Sequence, residues 1–295
     1  DGAVGHVVAA VRGGAVGGGW RHGRQGRQPA GPVVARATMM RMSDGIETGR
    51  VAVVTGGGAG IGAEVARALA ADGWRVRVCG RREGPLADVC SGDPDRLSWA
   101  ICDVTDEAAV GRLFGDVVAE FGRVDAVVVN AGAPGPTGEL GDLDAAGFRE
   151  TVEVNLTGAF LTARAAFRAM RDQEPAGGRI IFNASIATQT PRPHSAPYAA
   201  SKAGVAGLAT VTALDGRLHG ISVTRIDIGN AATGLLDGFG ATAGALQADG
   251  SRVVEPTFPA AEAARAFVYA ASLPAGAQVD QLTVTATGMP FLGRG

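Results

Sequence analysis

Thr55-Gly56-Gly57-Gly58-Ala59-Gly60-Ile61-Gly62 sits between the apolar run Val51–Val54 and the Ala- and Val-rich stretch Ala63–Ala71. Glycine is required where a backbone turns tightly, where it approaches a pyrophosphate, and where a helix meets a strand closely. A helix starting there offers free N–H groups and partial positive charge to phosphate oxygens. A plain tight turn is the competing reading in a chain with 46 glycines. The order strand, glycine turn, helix favours a dinucleotide site.

The same alternation continues outward. Val51–Thr55, Arg75–Cys79, Leu97–Ile101, Ala126–Asn130, Arg179–Ala184, Ile221–Ile226 and Gln281–Thr285 read as seven short apolar strands, bounded mostly by Gly, Asp or Asn. Strands of that kind are buried on both faces. Helical patterns separate them. The clearest is Asp106–Phe121, whose Val110, Leu113, Phe114, Val117, Val118 and Phe121 form one stripe, with Thr105 as its expected cap. Asp144–Arg171 and Ala196–Leu218 read as two long helices with broad apolar faces. The pattern predicts an α/β fold: a doubly wound, parallel, seven-stranded sheet of Rossmann type in a single domain over residues 49–295. Its ligand belongs beyond the carboxyl ends of the strands.

Upstream, residues 1–48 are rich in Gly, Arg and Ala, with almost no acid before Asp44, and show no sustained periodicity. An organellar transit peptide and a nucleic-acid arm are two readings of that composition. The favoured one is a disordered or non-native extension, with Met39, Met40 or Met42 as the working start.

Composition narrows the function. With 46% apolar and 19% charged residues the chain reads as globular, and its net charge of −2 gives no reason to expect nucleic acid or an anionic membrane. No apolar run is long enough to cross a bilayer. Cys79, Cys90 and Cys102, with His6, His22, His194 and His219, lack metal-ligand or disulfide spacing, so no metal and a reduced, cytoplasmic protein are expected.

Further on, Tyr198-Ala199-Ala200-Ser201-Lys202 sets a phenol and an ammonium on one helix face, with Ser195 and Pro197 in the first turn. Tyrosine ordinarily titrates near 10, so a neighbouring cation is what makes it useful as an acid/base near neutrality. Ser185, at the end of the fifth strand, can hold a substrate oxygen beside it. Taken singly, these residues are a surface serine and a solvated Tyr/Lys pair.

The spacing Thr-Gly-x-x-x-Gly-x-Gly, followed in order by Asp103-Val104, Asn130-Ala131-Gly132, Asn155, Ser185, Tyr198 and Lys202, resembles the short-chain dehydrogenase/reductase family. The resemblance runs from about Arg50 to the C-terminus. It implies an oxidoreductase interconverting a secondary alcohol and a carbonyl by hydride transfer, with Asn155, Ser185, Tyr198 and Lys202 as the catalytic set. It implies cofactor contacts from Gly56, Gly60, Ile61, Gly62, Asp103, Val104, Asn130, Ala131, Gly132, Tyr198, Lys202, Gly229 and Thr233. By the same resemblance, Lys202 grips the nicotinamide ribose and Asn155 holds a water leading to solvent.

Cofactor choice turns on the end of the second strand, where Gly80 stands at the family's acidic position and Arg81 follows. A guanidinium fork suits a phosphate, so NADP(H) is expected to be preferred, with NAD(H) as the alternative. After the sixth strand the family's Asn-Pro-Gly-x-x-x-Thr reads Asp227-Ile228-Gly229-Asn230-Ala231-Ala232-Thr233, lacking the proline and carrying Asp for Asn. Residues 234–259, with Leu235, Leu236, Gly238, Phe239 and Gly240, resemble a substrate lid. A small-molecule carbonyl or alcohol and a second copy in a homodimer or homotetramer are the expected partners. A cofactor-binding regulator or scaffold without turnover is the alternative function on the same fold.

Overall fold

The computed structural model describes residues 49–234 and 244–291. The extension 1–48 and the stretch 235–243, which carries Leu235, Leu236, Gly238, Phe239 and Gly240 of the expected lid, lie outside the described residues. The strands and helices run β1 (Val51–Thr55), α1 (Gly60–Ala71), β2 (Arg75–Gly80), α2 (Glu83–Cys90), β3 (Leu97–Ile101), α3 (Glu107–Phe121) and β4 (Ala126–Val129). They continue with α4 (Ala145–Val152), α5 (Gly158–Asp172), β5 (Gly178–Ser185), α6 (Ala196–Gly216) and β6 (Ile221–Gly229). Two short pairs follow: β7 (Ala231–Ala232) with β10 (Phe258–Pro259), and β8 (Ala245–Leu246) with β9 (Arg252–Val253). Helix α7 (Ala260–Ala271) and strand β11 (Gln281–Thr285) complete the domain.

Seven strands form one parallel sheet in the order β11-β6-β5-β4-β1-β2-β3. This is the doubly wound architecture that the alternation predicted. Strand β1 is fully buried, and its side chains alternate between two apolar layers. Ala52 and Val54 join Leu69, Trp74 and Phe267 under α1 and α7, while Val51 and Val53 join Phe114, Met170 and Phe182 under α3 and α5. The strand order reverses at β1, flanked by β2 and β4, so the turns leaving β1 and β4 open a crevice there.

Four local expectations need correction. Helix α3 is capped by Asp106, whose Oδ1 accepts from the N–H groups of Ala108 (2.8 Å) and Ala109 (3.1 Å), and not by Thr105. The Thr105 hydroxyl instead donates to Asp103 Oδ1 at 2.8 Å. The helix expected over Asp144–Arg171 is interrupted by one π-turn, Glu153–Thr157, which rotates Asn155 into the interior. The long helix from Ala196 ends at Gly216 and tightens into a 3₁₀ turn over Arg217–His219. Strands β5 and β6 also run further than expected, paired from Gly178 with Ile221 to Ser185 with Ile228, which carries Ser185 and Gly229 to the sheet edge.

Candidate active site

The glycine turn is rigid for steric reasons. Gly56 and Gly60 lie in the left-handed region at φ 66° and 54°, where a side chain is strained. A Cβ on Gly62 would fall 2.4 Å from the Gly56 carbonyl oxygen and 2.5 Å from Asn130 Nδ2. No side chain caps α1, whose N-cap is Ala59, so its first N–H groups have no side-chain acceptor. An uncapped helix start facing a cleft is chemically suited to a pyrophosphate.

Polar bonds tie this turn to the next strands. Thr55 Oγ1 accepts from the N–H groups of Asn130 (3.0 Å) and Ala131 (3.2 Å). Asn130 Nδ2 donates to the Thr55 carbonyl at 2.8 Å, and Asn130 Oδ1 accepts from Asn183 Nδ2 at 2.7 Å. The result is a cavity of roughly 430 Å³. Gly56, Gly60, Ile61, Asn130, Ala131 and Gly132 line one side of it, and Ser185, Tyr198, Lys202, Gly229 and Thr233 the other.

Within it the Ser185 hydroxyl hydrogen-bonds the Tyr198 phenol. Lys202 Nζ lies 5.8 Å from the Tyr198 ring centroid and donates to the Asn183 carbonyl at 2.8 Å. Burial lowers the Lys202 ammonium to about 8, and the Asp227 carboxylate partly offsets that fall. Burial raises the Tyr198 phenol, while the Ser185 bond and the Arg192 guanidinium pull it down. Arg192 is thus a second cation acting on the phenol, beside Lys202, and its guanidinium keeps its charge at a pH where Lys202 loses its own.

The remaining expected residues surround this wall. Asn155 is buried behind Gly132: its Oδ1 accepts from Ala133 N at 2.7 Å, and its Nδ2 donates to Ala133 O (2.9 Å) and Ser201 Oγ (3.0 Å). A Cβ on Gly132 would meet Asn155 Oδ1 at 3.2 Å and Lys202 Nζ at 3.8 Å, so both converge on that glycine. Asp103 accepts from the Thr105 N–H and hydroxyl, which with the more distant Arg81 hold its carboxyl low, and Val104 packs where a Cβ on Gly158 would fall. Arg81 is exposed, and its neighbour Arg82 lines the cavity.

Sequence reasoning missed Asn183, Arg192 and Glu255. Arg192 Nη2 donates to Asn230 Oδ1 at 2.7 Å and pairs with Glu255 Oε2. Asn183 carried a signal, a polar residue inside a buried strand; Glu255 carried none.

The sequence profile of the short chain dehydrogenase family matches residues 50–244. The chain belongs to that family, which places it among the NAD(P)-dependent oxidoreductases. It is 38% identical over 201 residues to a cis-4-hydroxycyclohexanecarboxylate dehydrogenase of Sinomonas cyclohexanicum, covering 68% of this chain and 80% of that protein. It is 37% identical to an L-fucose dehydrogenase of Oryctolagus cuniculus, covering 62% of this chain and 63% of that one, so under two thirds of that relative is matched. Among solved structures, an actinorhodin polyketide ketoreductase with NADPH superposes with a TM-score of 0.68 at 29% identity, covering 80% of this chain and 96% of the other.

Proposed function

We propose that this protein interconverts a small secondary alcohol and a ketone with NADP(H), using Tyr198 as its acid/base. The Ser185–Tyr198 hydrogen bond, with Lys202 over the ring, inside a cavity that ends at an uncapped helix start, carries this reading. The bound nicotinamide cofactor supplies or accepts the hydride. Backbone N–H groups from Gly60 to Gly62 hold its pyrophosphate, and Gly229 and Thr233 border its nicotinamide end. The Ser185 hydroxyl donates to the substrate oxygen. Tyr198 gives its proton to that oxygen in reduction and removes it in oxidation. Lys202 would orient the ribose, and Asn155, whose bonds to Ala133 and Ser201 fix the floor, would hold a water through which a Lys202 proton exchanges with solvent. Arg81 and Arg82 share the 2′-phosphate.

The named relatives act on a hydroxy acid and a sugar, which supports a secondary alcohol of modest size as substrate. The catalytic unit is residues 49–295, acting in the cytoplasm as a homodimer or homotetramer, and the extension 1–48 is dispensable to it. Tyr198→Phe tests the assignment. Turnover of NADPH with a panel of ketones should fall at least about a hundredfold while NADPH affinity changes little. Near-normal turnover in that variant overturns it.

A further inference from the structure

Arg192, which lines the cavity with Tyr198, pairs with Glu255 from a segment 63 residues further on. Glu255 keeps 2% and Arg192 18% of its side-chain exposure. Buried ion pairs are weak contributors to stability, because desolvating two charges consumes most of their attraction. A pair placed at a reactive cavity therefore asks for a functional reason. Both partners also hold Asn230: its Oδ1 accepts from Arg192 and its Nδ2 donates to Glu255 Oε2 at 2.8 Å. Asn230 sits in the left-handed region at φ 57°, between Gly229 and Thr233 of the nicotinamide-side loop. Gln247 Nε2 donates to Glu255 Oε1 at 3.3 Å, so two residues of the expected lid stretch 234–259 belong to the same knot.

We propose that Arg192 is a positioning residue for Tyr198 and Glu255 its buried counter-ion, the pair together setting the charge felt at the phenol oxygen. This deepens the Tyr198 reading and rests on it for its effect on turnover. Arg192 lines the same cavity as Ser185 and Tyr198, and its guanidinium stays charged at every working pH. The other charged groups around the phenol are less able to do this. Lys202, one turn along α6, is lowered by burial to about 8 and loses its charge above that pH, where Arg192 keeps its own. Asp227 on β6 is occupied by Arg225, Gln189 and Gln281. His194 faces Glu139 at 3.9 Å, and Arg149, Glu150 and Glu153 along α4 and its π-turn are exposed.

The chain has two tyrosines, so a Tyr269→Phe background leaves Tyr198 as the sole phenol. Ultraviolet titration of tyrosinate in that full-length background, with circular dichroism reporting the fold, reads the site without any substrate. Arg192→Gln should raise the Tyr198 midpoint by about one pH unit, and Glu255→Gln should lower it by about half a unit. Opposite signs are the signature of charge. Arg192→Lys, which keeps the charge, should stay within a few tenths of the parent. Equal shifts in Arg192→Lys and Arg192→Gln, or shifts of one sign in both glutamine variants, overturn the proposal. Glu255→Gln keeps the shape of the knot and decides the matter if Arg192→Gln fails to fold: no downward shift refutes it. Retained turnover in Tyr198→Phe would defeat the acid/base reading while leaving these titration shifts in place, so the two failures are distinct.

Discussion

Between Val51 and Val129, on the glycine-turn side of the cavity, Thr55 is the one buried polar residue among those described. On the other side Ser185, Ser195, Ser201, Lys202, Asp227, Asn230 and Glu255 are all buried. On the proposed reading the first region would recognise its ligand with backbone N–H groups, and would need only the removal of side chains where phosphate and helix approach. The second would move a proton, and would need ionisable groups in a medium that penalises each of them unless it is paired. Partners must then come from whatever segment passes nearby, as Asn183, Arg192, Asp227 and Glu255 do. Binding built from backbone is compact in sequence, whereas acid/base chemistry is spread along it.

The largest test of that contrast is Lys202→Met. If the second region sacrifices stability for chemistry, removing this buried charge should cut turnover at least about a hundredfold and stabilise the fold. The sign follows from Lys202 titrating at about 8 in the folded chain against an ordinary 10.5. Between those values the unfolded chain holds the extra proton, so stability rises with pH across that window, and below 8 the full penalty applies. Replacement should gain at most about 3 kcal/mol at pH 7, less whatever the lost bond to the Asn183 carbonyl was worth, and should flatten the rise. Urea melts at pH 7 and pH 9.5 check both. A less stable variant at pH 7 would mean that Lys202 supports the fold.

Glycines offer the mirror-image test on the first side. Gly62→Ala should lose about 1–3 kcal/mol, because its Cβ would fall 2.4 Å from the Gly56 carbonyl oxygen. The melting temperature should drop by roughly 3–10 °C and NADPH affinity with it. Gly111→Ala in α3, where a Cβ meets nothing within 4 Å, should instead gain about 0.5–1 kcal/mol and leave binding alone. Equal effects at the two positions would refute the steric account of the turn.

The same contrast explains what could be read in the sequence. β1 begins and ends where its apolar run does, since burial on both faces leaves its mark on every residue, and the edge strands β3 and β11 keep their expected bounds although they are only partly buried. The glycine turn was legible because it occupies one short element, and the Tyr198, Lys202 pair because its spacing is one helical turn, with Ser185 at the end of a strand. The π-turn at Glu153–Thr157 was not, because it is fixed by Asn155 reaching across to Ala133, a contact no helical period encodes. Arg192 carried no local signal, because its partners Asn230 and Glu255 lie 38 and 63 residues away. Asp106 displaced Thr105 as cap because Thr105 was already bound to Asp103.

The smallest expected effect concerns the boundary of the first region, where side chains take over from backbone. Gly80 ends β2, and a Cβ there would meet only the Leu86 side chain, at 3.6–4.0 Å, so the position accepts a carboxylate without displacement. Arg81 is close enough to lower the Asp103 carboxyl, and Arg82 lines the cavity, so on the proposed reading two guanidinium groups would share a 2′-phosphate. One charge-assisted hydrogen bond is worth about 1.5–3 kcal/mol, and about 1.4 kcal/mol is tenfold in affinity. NADPH should therefore bind at least about tenfold more tightly than NADH in titrations at low salt. Arg81→Ala alone should remove part of that preference, and Arg81→Ala with Arg82→Ala most of it. Gly80→Asp with Arg81→Ala should reverse it, since the new carboxylate accepts from the ribose hydroxyl and repels the phosphate. Equal affinity of the unaltered protein for the two cofactors would defeat the proposal. Because Arg81 is exposed, the preference should also shrink as salt rises, whereas the backbone contacts of the glycine turn, common to both cofactors, should lose less.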